Sequence, residues 1–222
     1  MKRTALLLAL MAFGFGLAQQ KKPQKQAQQQ SSYQEAIKVL VGGLSQDPRF
    51  TWKYQQDEAQ IICSQYKSRE AMPAQAVQKV IELSSKSFNY PQWGIYMGDW
   101  KEGKKLVESA RGGRFASYGF SDNPNDKGGN CYACHLIEKG QPGGTMGPNL
   151  YQYGKRWNIT KENMSTPQAL ESIKTVYQII YNSWALFPCS SMPRFGYHGN
   201  LSPEDIANIV AFLLHPDSPV NK

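Results

Sequence analysis

Residues 131–135 read Cys-Tyr-Ala-Cys-His, two thiols separated by two residues with an imidazole directly after the second. No other spacing in the chain narrows its fold so much. Two intervening residues let one short turn offer both sulfurs to neighbouring edges of a flat macrocycle, and the next side chain then passes beneath its centre. That is the attachment pattern for c-type haem, in which Cys131 and Cys134 become thioethers on the porphyrin vinyl groups and His135 is the proximal iron ligand. The same pattern also arises by chance, as a redox dithiol or as half a zinc site, so the reading depends on context.

The N-terminus supplies that context. Lys2 and Arg3 precede an apolar run over residues 5–17, which ends at Ala18 before the polar Gln19. A basic start, a short hydrophobic stretch and a small terminal residue predict a secretory signal peptide over residues 1–18, cut near Ala18. The run falls short of the roughly 20 apolar residues that span a bilayer, which argues against a membrane anchor. Export predicts a periplasmic location, where bacterial thioether bonds to haem are made and disulfides persist. The formal charge of +8 and pI of 9.2 suit steering toward an acidic protein surface there, and the compartment excludes nucleic acid as a partner.

Residues 19–32 are rich in Gln and Lys and too poor in apolar side chains to order themselves, so they read as a flexible tether. From residue 33 to 95 the pattern predicts a small helical extension. Ala36, Ile37, Leu40 and Val41 recur at helical spacing up to Gly42 and Gly43; a second patch carries Ala59, Ile61, Ile62 and Cys63; a third follows Pro73 with Ala76, Val77, Val80, Ile81 and Leu83. The stretch is too short to trust alone and is expected to pack on residues 96–222. There, a helix is predicted from about Asp99 to Ala110. Gly103 inside it costs roughly 1 kcal/mol against alanine, which implies a close neighbour. A last helix starts at Ser202 as cap with Pro203 in its first turn, buries Ile206, Ile209, Val210, Leu213 and Leu214, and stops before Pro216. Phe212 is the aromatic expected against Gly103.

Helices crossing at a close glycine contact, a CxxCH after the first of them and a methionine loop before the last resemble the class I cytochrome c fold, over roughly residues 97–216. The expected fold class is therefore all-α, with this haem domain preceded by the helical extension. Residues 111–129 form a longer Gly-rich insertion than a minimal member has. The resemblance also implies that Gly147-Pro148 places a backbone carbonyl to accept the second ring proton of His135.

The other face of the iron needs a ligand, and Met192 is the choice. Its segment, Ser191-Met192-Pro193-Arg194-Phe195-Gly196, cannot be helical and lies shortly before the last helix. A thioether is soft and neutral, favours ferrous iron and raises the potential, while Phe195 helps to keep water out. Met146 competes by position, and His198 is the alternative ligand that would lower the potential. Tyr153, Arg156 and Trp157 offer donors to the haem propionates, or else pack at the surface. Cys63 and Cys189 belong to no second CxxCH, so one covalent haem c is expected. In an oxidising compartment the two spare thiols most simply pair, which would tie the extension to the Met192 loop; separate thiols, or a bond to a partner, are the rival readings.

Residues 111–135 with Gly-Gly-Asn before the CxxCH, 147–157 (GPNLYQYGKRW) and 192–212 (MPRFGYHGNLSPEDIANIVAF) are together similar to the SoxX family of monohaem cytochromes. The resemblance implies a heterodimer with a SoxA-like cytochrome, transient contact with a SoxYZ-like carrier protein and a small cytochrome c as acceptor. The chain would then be the electron-exit subunit of an L-cysteine S-thiosulfotransferase in thiosulfate oxidation, contributing no nucleophile. The reading from another class is a free-standing soluble electron shuttle, and a haem sensor is a third.

Overall fold

The computed structural model describes residues 56–86, 88–95, 97–109 and 128–222, with six further positions between 32 and 39. The expected signal peptide, most of the tether and residues 111–127 of the insertion lie outside the described residues. The chain divides into two units, residues 1–55 and 56–222. In the first, residues 34–36 and 38–39 are helical and exposed, while Leu40, Val41 and the stop at Gly42-Gly43 are outside the description. The second unit holds the rest of the expected extension together with the CxxCH. All regular elements among the described residues are helical, and none is long and apolar enough to cross a membrane.

Helix α1 (Glu58–Ser64) begins at a capping box in which Asp57 accepts from the Gln60 amide and Gln60 accepts from the Asp57 amide. Helix α2 (Ala74–Ser85) follows Pro73. Met72 fills the gap between the two helices, and Ala59, Met72 and Val80 are buried in a small core that also takes in Ile62, Leu83, Trp184 and Cys189. Short bonds tie this part onward: Asn182 Nδ2 donates to the Ser84 carbonyl at 3.0 Å, Tyr177 Oη to the Asn89 carbonyl at 2.6 Å and Gln178 Nε2 to Tyr90 Oη at 2.9 Å.

Helix α3 (Trp100–Glu108), capped by Asp99, packs across the last helix. At the crossing a side chain on Gly103 would place its Cβ 1.9 Å from the Asn208 carbonyl oxygen and 2.9 Å from Phe212 Cβ. Phe212 is the expected neighbour, but the backbone of Asn208 comes closer still. The Gly98 amide donates to the Ala207 carbonyl and the Asp99 amide to Asn208 Oδ1, so the entry to α3 is bonded to the same turn. Helix α4 (Tyr153–Arg156) is a single turn whose Gly154 sits under the Leu214 carbonyl.

Helix α5 (Pro167–Tyr181) has no counterpart in the sequence reading. Thr166 caps it, Pro167 opens it, and it buries Ala169, Ile173, Val176, Tyr177, Ile180 and Tyr181. That spacing is an apolar stripe of the same period as in the other helices. Helix α6 (Pro203–Leu214) starts at the Ser202–Asp205 capping box and buries nine of its residues, so it is the centre of the main core rather than a surface helix. Past Pro216, Asn221 Nδ2 donates to the carbonyls of Leu213 and His215 and closes the helix end.

Candidate functional site

The Cys131–Ala133 segment forms one turn of 3₁₀ helix, entered through Asn130 in the left-handed region at φ 46°. The turn hangs from the end of α3, where the Gly129 amide donates to the Leu106 carbonyl and the Asn130 amide to that of Ser109. Within it the amides of Cys134 and His135 both donate to the Cys131 carbonyl, at 3.1 and 2.9 Å. Lys104 on α3 pairs with the largely buried Glu138 at 2.9 Å and fixes the strand of chain leaving the motif.

Residues 144–150 run alongside the motif. Gly144, Gly147 and Leu150 amides donate to the carbonyls of Tyr132, Cys134 and Leu136. This parallel course brings the Pro148 carbonyl 2.7 Å from His135 Nδ1. In a neutral ring the proton then sits on Nδ1, and the lone pair of Nε2 is left to bind a metal. Gly147 is required by the same packing, since a Cβ there would lie 2.2 Å from His135 Cε1.

The ring of His135 faces a cavity walled by Cys131, Leu150, Ile180, Met192, Phe195, Leu201, Ile209 and Leu213. Helices α5 and α6 supply Ile180, Ile209 and Leu213; the loop between residues 182 and 202 supplies Met192, Phe195 and Leu201. An apolar wall with a thiol, an imidazole and a thioether on it fits an iron porphyrin: the wall suits the macrocycle, and the donors match the Cys and His/Met set of a low-spin electron carrier. His135 and Met192 would hold the iron and Cys131 would hold the ring edge. Burial pushes the Cys131 thiol up to about 12. Among the described residues, His, Cys, Asp and Glu gather into no cage for a bare metal ion.

Cys134 is not on the cavity wall; its sulfur lies 4.0 Å from that of Met146, which is exposed. His198 is off the wall as well, half-buried with its ring edge-on to Tyr197. Tyr153, Arg156 and Trp157, expected as donors to the propionates, do not line the cavity itself. Arg156 donates to the carbonyls of Asn149 and Tyr151 and covers the Tyr153 ring, while Tyr153 packs edge-on to Trp157. A guanidinium beside its own loop carbonyls braces that loop. Cys63 and Cys189 are joined in a disulfide, with their Cα atoms 5.6 Å apart.

Sequence reasoning missed the contributions of Ile180, Leu201 and Leu150 to the wall. Ile180 was readable from the stripe of α5, but Leu150 and Leu201 lie in loops, where no period marks a buried side chain.

The family model for cytochrome c matches residues 101–216. A protein of Aquifex aeolicus (strain VF5) described as an uncharacterized lipoprotein is 37% identical over 171 residues, covering 75% of this chain and 73% of its own. The family match at residues 101–216 runs over α3, the Cys131–His135 motif, the Met192 loop and α6, and the chain belongs to the cytochrome c family of electron-transfer haem proteins.

Proposed function

We propose that the chain is an exported monohaem cytochrome c in which His135 and Met192 are the axial ligands and Cys131 and Cys134 the thioether attachments, working in thiosulfate oxidation as the SoxX-like subunit of a SoxAX complex. The observation that carries the haem assignment is the apolar cavity that has His135 and Met192 on its wall beside Cys131. When bound, haem c supplies a one-electron ferric/ferrous couple. His135 lines the cavity, and its Nδ1 is engaged by the Pro148 carbonyl, which leaves Nε2 as the nitrogen to bind iron. Met192 offers a neutral sulfur that favours the reduced state. Phe195, Ile209 and Leu213 exclude water and so lower the cost of neutralising the metal's charge.

The pathway is supported by the likeness of residues 147–157 and 192–212 to the SoxX family. Joining thiosulfate to a carrier thiol releases two electrons, and a monohaem subunit accepts them one at a time and passes them to a small cytochrome c. The signal-like N-terminus and the lipoprotein description of the Aquifex relative both favour a periplasmic site of action.

The test is purification of the mature protein from its native extracytoplasmic compartment with whatever accompanies it, read by visible spectra and intact masses. A stable second haem protein is expected, and haem reduction by thiosulfate only when the carrier protein is added. A lone monohaem protein that exchanges electrons with several unrelated partners overturns the SoxX assignment and leaves a free-standing shuttle.

A further inference from the structure

The loop that carries Met192 has little regular structure of its own. Met192 is held by its amide donating to Ser190 Oγ at 3.1 Å and by its carbonyl accepting from Ser183 Oγ at 3.0 Å. A thioether is a weak, uncharged ligand on a flexible side chain, so its place over an iron depends on the free energy of the loop.

Two contacts from α1 bracket that residue. Three positions before Met192, Cys189 is bonded to Cys63 in the last turn of α1. Cys189 itself sits at φ 60°, a conformation that a non-glycine residue keeps only where its surroundings impose it. Two positions after Met192, the Arg194 guanidinium pairs with the carboxylate of Asp57, the N-cap of α1, at 2.7 Å. The side chain of Arg194 is 4% exposed. It lies between the rings of Trp184 and Tyr197, 4.3 and 4.5 Å from their centroids.

We propose that α1 is a clasp for the axial-ligand loop, with Asp57, Arg194 and the Cys63–Cys189 bond as positioning residues that hold Met192 over the cavity. The inference rests on the reading of Met192 as the sixth ligand. One end of the helix grips the loop before the methionine and the other grips it after, so the helix acts as a rigid strut between the two anchors. Loss of either anchor frees one side of the loop. Removing Asp57 also strands a buried guanidinium, which will pull the loop toward water.

The experiment uses the full-length holoprotein and three variants: Asp57→Asn, the double change Cys63→Ser with Cys189→Ser, and Val80→Ala. Val80 is buried in the small core of α1 and α2, against which Cys63 and Cys189 also pack, but it makes neither the ion pair nor the disulfide, so it reports loss of packing with both anchors intact. The readouts are the far-red sulfur-to-iron band of the ferric protein and the affinity of added imidazole, which competes with the methionine. The wild type is expected to show the band. Asp57→Asn and the double variant are expected to bind imidazole about tenfold more tightly and to lose band intensity, with haem content and helix content retained; Val80→Ala is expected to stay near the wild type. A wild type without the sulfur band overturns the Met192 assignment, and the clasp with it. A wild type with the band, and anchor variants with unchanged imidazole affinity, overturns the clasp alone. Equal loosening by Val80→Ala also overturns it, since general packing would then explain the effect.

Discussion

At the scale of single residues, the cavity is set by a few contacts that leave no slack. Gly147 lies flat against the ring of His135, and an added methyl group would meet that ring. In Gly147→Ala the imidazole has to turn and lose the Pro148 carbonyl. The expected cost is about 1–3 kcal/mol of stability together with a lower haem content, measured by thermal unfolding and by the Soret absorbance per protein. His198 gives a prediction in pH. Burial pushes its imidazole down to about 4, Arg194 adds to the shift and Asp57 opposes it, while the Tyr197 ring lies against it. The folded chain thus holds His198 neutral over a range in which the unfolded chain has begun to take up a proton. Stability is full above about pH 6.5, falls as the pH drops toward about 4, and stops falling on this account once the folded state is protonated too. Denaturant titrations across that range are expected to show a shallower slope in His198→Gln. The fate of His198 as a ligand candidate follows from the same position: sequence distance from Met192 places it near the loop, but only packing decides which of the two side chains faces the cavity.

At the scale of elements, the crossing of α3 and α6 sets where the haem motif begins. Gly103 permits the approach, because any Cβ would overlap the Asn208 carbonyl. Gly103→Ala gains about 1 kcal/mol in helix propensity but has to separate two backbones, so the net change is a loss of about 2 kcal/mol. In a chain of this size that is a fall of roughly 4–8 °C in the unfolding midpoint, which calorimetry would measure. The ends of α6 and the presence of α3 were legible because caps, prolines and the apolar period are local signals. Helix α5 carries the same signals, Thr166, Pro167 and a stripe through Ile173, Val176, Tyr177 and Ile180. Its polar approach, residues 158–165, obscures them. The role of Asn208 was illegible for a different reason: a backbone carbonyl has no residue type, so nothing in the sequence marks which one a glycine will meet.

At the scale of the whole molecule, residues 56–86 are bound to the second half of the chain by a disulfide, a buried ion pair and the bond from Asn182 to the Ser84 carbonyl. A shuttle built only to carry electrons needs no such structure, and its attachment on both sides of Met192 is the basis of the proposed clasp. The amino-acid sequence by itself determined the all-α class, the haem motif and its histidine, the candidate methionine and the limits of the first and last helices of the haem domain. Each of these rests on spacing within a few residues or on composition, both of which are local. Only the tertiary structure decided that Met192 and not His198 is on the cavity wall, that Arg156 braces its own loop, and that Cys63 and Asp57 reach positions either side of Met192. The anchors at Cys63 and Asp57 join surfaces 126 and 137 residues apart, and even the nearer contacts depend on how the helices pack, through the close approach at Gly103 and the shape of the core around α6.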